Sequence, residues 1–142
     1  MSSLALIAHD NKKVDLLAWA TFNREMLNRF ELVATRHTAR LLERKVGLAV
    51  QELLSGPEGG DAQIAALTAV RAVDGVFFFV DPLSAQAHDP DIRALMRVCN
   101  VHNVPLATNV ATADLVITGL TARATAARDE VVVDGRTASS FQ

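Results

Sequence analysis

Residues 75–80 read GVFFFV, six consecutive positions without a polar side chain. A strand with one face in water alternates apolar and polar residues, whereas one that is apolar throughout is covered on both faces. This segment is therefore read as an interior strand of a parallel sheet with helices above and below. Its surroundings repeat the theme. DAQIAALTAVRA (61–72) on one side and DIRALMRVCN (91–100) on the other have helical composition, the second entered through Pro90, which suits a first helical turn.

Further out, LALIA (4–8), ELVA (31–34), the weaker GLAVQELL (47–54) and VPLAT (104–108) read as four more strands. Between them fall a helix over about 12–28, with an apolar stripe of Val14, Leu16, Leu17, Trp19, Phe22 and Met26, and a second helix over 38–45. A last helix is expected over 112–120, closed by Gly119, while the segment from about 121, alanine-rich and then EVVVDG, is assigned no element. Trp19 and Phe77 to Phe79 are read as core, and His102 as lying just beyond a helix. The pattern predicts one domain over 1–142: an α/β fold of the Rossmann or flavodoxin-like class, a three-layer α/β/α sandwich on a five-stranded, mainly parallel sheet.

Composition narrows the function. A formal net charge of −2 with interspersed signs offers no electrostatic footprint for nucleic acid, and 5% aromatic residues without tyrosine offer few stacking platforms. No apolar run approaches bilayer-spanning length, and the start MSSLALIAHDNKK lacks the basic region and cleavage site of a signal peptide. No membrane or nucleic-acid partner is expected, and a cytoplasmic location is. The single cysteine, Cys99, agrees with a reducing compartment.

In open α/β sheets ligands bind beyond the carboxyl ends of the strands. Those loops here read HDNKK, TRHTA, SGPEGGD, DPLSAQAHDPD and TNVATAD, so nearly all the acid, base and hydroxyl groups fall on one edge of the sheet. Helix capping explains such residues singly, but not His9, His88 and the glycine loop together. In SGPEGGD the bare backbone and a helix start suit an anion, held through Ser55 Oγ and the Gly56 amide. Asp61 would be repelled by that anion, so it is read as a base acting beside it. His9, His88 and Asp61 match no familiar metal-ligand spacing, and no metal is expected.

The segments LIAHD with Lys13 three residues on, LSGPEGGD leading into QIAAL, DPLSAQAHDPDIRALMR and NVPLATNVATAD resemble, in this order, those of methylglyoxal synthases, over about residues 4–120. The resemblance implies a small lyase that, without an organic cofactor, converts dihydroxyacetone phosphate to methylglyoxal and inorganic phosphate. It also implies a cytoplasmic homohexamer, often inhibited allosterically by phosphate, in a fold shared with regulatory domains of carbamoyl phosphate synthetase and with IMP cyclohydrolase. By the same resemblance Asp61 is the catalytic base and His88 polarises the substrate oxygens, with Asp91 and Asp10 as further carboxylates that orient these groups or relay protons. Lys13, Thr35, Thr38, Ser55 and Gly56 face the phosphate, with His9 at the same mouth.

The departure lies after the second strand, where the family usually carries TGTTG and this chain has TRHTA (35–39). Arg36 and His37 either contribute to phosphate binding or form a solvated helix start. The alternative to an enzyme is a non-catalytic phosphometabolite-sensing domain of the same fold, and Asp61, His88 and Asp91 together argue against it. A flavodoxin-like carrier fits less well, because the strand-end loops have few aromatic residues to sandwich a flavin.

Overall fold

A computed structural model describes residues 2–140. Its five strands, β1 (Ser3–Ala8), β2 (Glu31–Thr35), β3 (Val50–Leu53), β4 (Gly75–Phe79) and β5 (Leu106–Ala107), form one sheet in the order β3-β2-β1-β4-β5. Every neighbouring pair is parallel. The GVFFFV segment lies inside the sheet, between β1 and β5, and its five strand residues are all buried.

Strand alternation divides the core in two. Leu4 and Leu6 of β1 with Phe77 and Phe79 of β4 face one layer, formed by α1 (Lys13–Phe22), α2 (Arg24–Leu27), α3 (Arg36–Leu41) and α6 (Val110–Ser140). Ala5, Ile7, Val76 and Phe78 face the other, formed by α4 (Asp61–Ala69) and α5 (Asp89–His102). Trp19 of α1 packs on both Phe77 and Phe79, with ring centroids 4.9 and 5.5 Å apart. The three-layer sandwich is thus the direct result of a strand that is apolar at every position.

Three sequence expectations need correction. The helix expected over 12–28 begins after a short turn (Asp10–Lys12) and breaks at Asn23, whose backbone N–H and side-chain Nδ2 both donate to the Trp19 carbonyl. Within it Leu16 and Trp19 are buried, but Val14 and Phe22 share the opposite ridge and are 76% and 88% exposed. Gly119 does not close the last helix. The chain stays helical to Ser140, since an isolated glycine weakens a helix by only about 1 kcal/mol and the alanine-rich stretch after it favours one. His102 ends α5 itself, and Asn103 takes the left-handed conformation that terminates the helix (φ 55°).

The strand order reverses direction between β1 and β4. β2 and β3 lie on one side of β1 and β4 and β5 on the other, so the two chains leaving β1 and β4 diverge and open a crevice at their carboxyl ends. The glycine loop enters this crevice from β3. Its turn (Gly56–Gly60) contains Gly59 at φ 113°, a backbone conformation open in practice only to glycine. At Gly60 a Cβ would stand 2.1 Å from the Leu54 carbonyl oxygen and 2.8 Å from Thr35 Cγ2. The loop therefore lies flat against the end of β2, and α4 starts immediately at Asp61.

Candidate active site

The crevice holds a cavity of about 140 Å³ whose walls include His9, Asp10, Lys13, Thr35, His37, Ser55, Gly56, Asp61, Gln86 and His88. Asp61 is completely buried, and among the described residues neither of its carboxylate oxygens has a hydrogen-bond partner. Its nearest opposite group is His88 Nε2, 3.3 Å from Oδ2, close enough for charge to matter but out of line for a hydrogen bond. Burial pushes the Asp61 carboxyl above its ordinary value. His88 works against the rise, and the charge of Asp91 adds to it.

His9 is oriented from across the sheet. The Asp81 backbone N–H donates to His9 Nδ1 at 2.9 Å. An amide does not give up its proton, so Nδ1 must stay an acceptor and the neutral ring carries its hydrogen on Nε2. That atom is buried and, among the described residues, without a hydrogen-bond partner. Burial, with help from neighbouring His88, lowers the His9 pKa and so favours this neutral form. The ring edges against Phe78 at a centroid distance of 5.1 Å and against His88 at 6.0 Å. Asp81 is itself pinned: its carboxylate accepts from Asn11 Nδ2 at 2.9 Å and the Leu83 amide at 3.0 Å, contacts that hold its pKa down.

Lys13 is largely covered. Its Nζ donates to the Ala8 carbonyl (3.0 Å) and to Asp10 Oδ1 (2.8 Å), which keeps the ammonium at the cavity wall. That hydrogen bond lowers the pKa of Asp10, whose carboxylate is otherwise in solvent at the mouth. Gly56 brings bare backbone to the acid and the imidazole. A Cβ there would lie 3.1 Å from His88 Nε2 and 3.4 Å from Asp61 Oδ2. Among the described residues no three of His, Cys, Asp and Glu are grouped to hold a metal ion, and Cys99, whose thiol burial pushes up to about 11, is no nucleophile.

Segments after four of the strands thus place a buried carboxylate, a tautomer-locked imidazole and an ammonium around one small cavity. Comparison with known proteins gives the family. The model of the MGS-like domain matches residues 15–108. The methylglyoxal synthase of Carboxydothermus hydrogenoformans is 52% identical over 120 residues, which span 84% of this chain and 99% of that protein. The chain belongs to the methylglyoxal synthase family. The methylglyoxal synthase of Ralstonia nicotianae is 54% identical over 82% of this chain and 87% of its own. A crystal structure of methylglyoxal synthase from Elizabethkingia anophelis superposes with a TM-score of 0.77 at 43% identity, covering 82% of this chain and 76% of that one.

Within this methylglyoxal synthase fold, most of the residues singled out from sequence meet at one cavity, and three stand apart. Thr38 is buried, its hydroxyl without a partner among the described residues, but does not line the cavity. Asp91, in the first turn of α5, acts on Asp61 through its charge without forming a wall. Arg36 and His37 part company: His37 lines the cavity, whereas the Arg36 guanidinium pairs with Glu52 and Glu58. Sequence reading missed Gln86, a wall residue, and the Asp81–Asn11 pair that supports His9. DPL shows that Asp81 follows a strand, but its role needs the β1–β4 adjacency, which brings together residues 72 positions apart.

Proposed function

We propose that the chain is a carbon–oxygen lyase that forms methylglyoxal and inorganic phosphate from dihydroxyacetone phosphate. The observation that carries this reading is the fully buried Asp61 carboxylate, without a hydrogen bond among the described residues, beside His88 and the bare Gly56 backbone. A sensor of phosphorylated ligands gains nothing from a negative charge there, and a general base needs it.

Ser55, the Gly56 amide, Thr35 and Lys13 hold the phosphate, with His37 at the rim. Asp61 removes a proton from the hydroxymethyl carbon next to the carbonyl, and a carboxylate raised in pKa by burial is the stronger base for this step. His9 Nε2–H and His88 donate to the substrate oxygens and stabilise the enediolate. As the hydroxyl on the deprotonated carbon becomes the aldehyde carbonyl it passes its proton to the departing phosphate, and the C–O bond to phosphate breaks. The enolate left behind takes up at the far carbon one proton, equal to that removed by Asp61, to become methylglyoxal. Lys13 balances the charge of the departing phosphate, which favours elimination over isomerisation. Asp10 holds Lys13, and Asp91 helps keep the Asp61 proton affinity high. No cofactor is required, because the substrate carbonyl already acidifies the proton.

The same reading makes the protein a cytoplasmic homo-oligomer, hexameric and phosphate-inhibited as the resemblance implies. No described helix is long and apolar enough to cross a membrane. Phe22 and Leu83, 88% and 93% exposed, offer apolar surface to further copies, and a solution mass of one chain would overturn that part. The decisive experiment supplies the purified protein with dihydroxyacetone phosphate and follows both products. Methylglyoxal and inorganic phosphate are expected in equal amounts, and phosphate without methylglyoxal would mean simple hydrolysis.

A further inference from the structure

The reaction described above leaves Glu58 without a task. It occupies the variable position of the SGPxGGD segment, and its Oε1 accepts a hydrogen bond from Ser55 Oγ at 2.7 Å. The same oxygen accepts from Arg36 Nη1 at 3.2 Å. Arg36 Nε stands 3.4 Å from Glu52 Oε1, and Arg40 grips both Glu52 oxygens at 3.1 and 3.2 Å. Charges of alternating sign therefore run from α3 across the end of β3 and finish on the hydroxyl that lines the cavity.

A serine hydroxyl has one proton to donate. While Ser55 gives it to Glu58, only oxygen lone pairs face the cavity, and lone pairs repel an anion. A phosphate can take a hydrogen bond from Ser55 only if Glu58 releases it, and it must also tolerate the carboxylate nearby. Arg36 moderates both effects by neutralising Glu58 and drawing it towards α3. We infer that Glu58, restrained by Arg36, is a positioning residue that sets the cavity's affinity for phosphate groups by competing with them for the Ser55 proton. The inference rests on the anion-seat reading of the cavity. Its consequence is a site that releases inorganic phosphate readily and is less inhibited by it.

Calorimetric titration with inorganic phosphate tests this on the full chain, alongside steady-state kinetics with dihydroxyacetone phosphate. Glu58→Gln is expected to bind phosphate about five- to tenfold more tightly, since a charge-assisted competitor is replaced by a neutral one, and KM should fall with it while kcat moves less. Arg36→Gln should bind phosphate several-fold more weakly, and the double variant should return towards Glu58→Gln, because Arg36 acts through Glu58. A merely structural network predicts instead that both single variants lose affinity. If Glu58→Gln binds phosphate no more tightly than the parent, the inference falls. Tighter binding in a protein that makes no methylglyoxal would uphold it and overturn the proposed reaction. Absence of phosphate binding in every variant would overturn both.

Discussion

Replacing Asp61 by asparagine is expected to cut kcat/KM by roughly 10³- to 10⁴-fold while making the protein more stable at neutral pH. The loss follows from the role proposed for Asp61, the base that takes the proton from the reacting carbon. The gain follows from the cost of leaving that carboxylate charged, buried and without a hydrogen bond. The sign is set by linkage. The Asp61 pKa in the folded protein is raised above its value of 3.8, so the folded state holds that proton more tightly than the unfolded chain. Its contribution to stability is complete below that value and is lost as pH rises through the folded pKa. Asparagine removes the penalty, so the variant should unfold at a higher temperature at pH 7, and the advantage should vanish in the acid range. Thermal unfolding of both proteins at pH 4 and pH 7 checks this. An Asp61→Asn protein that retains turnover would end the catalytic assignment, and one less stable at pH 7 would show that the ionised carboxylate is favourably placed.

His9 offers the second large effect. Asparagine can accept the Asp81 N–H through Oδ1, where Nδ1 now does, but is too short to present a donor to the cavity. His9→Asn should therefore lower kcat by about 10²- to 10³-fold, the scale of removing one donor to a developing oxyanion. Glutamine reaches further, so His9→Gln should recover part of the loss. A merely structural histidine would show no such order between the two variants. The pKa of His9 is lowered from 6.5, chiefly by burial, so the neutral donor should persist below that pH. Linkage now has the opposite sense: the unfolded chain binds this proton more readily, so stability is present above the unfolded pKa and is lost as pH falls through the folded one. Both His9 variants should flatten the stability–pH curve on the acid side of 6.5, and an unchanged curve would show that His9 does not carry that slope.

Much of the site was legible because its residues sit in short segments directly after strands, where the local pattern is strong. GVFFFV, apolar on both faces, read as an interior strand, and SGPEGGD read as a turn opening a helix, because glycine and proline punctuate regular structure. The family resemblance, carried by the same segments, attached a chemistry to them. Arg36 was not legible in the same way. TRHTA places a guanidinium at a helix start beside an anion seat, and nothing local shows that Glu52, on the next strand, and Glu58, in the next loop, would draw it outward. The break at Asn23 was hidden for a related reason. A buried amide that donates to the preceding turn looks, in sequence, like any polar residue in a helix.

By itself, the sequence determined the alternation of strands and helices, the covering of both sheet faces and the gathering of reactive groups on one sheet edge. These depend on apolar period and on glycine and proline placement, both properties of neighbours along the chain. Only the tertiary structure decided which nitrogen of His9 carries the proton, that Asp61 would be buried without a hydrogen bond among the described residues, and that Ser55 would be held by Glu58. Each of these depends on a donor, an acceptor or an absence of water supplied by a segment far off in sequence, brought near by the order of strands in the sheet.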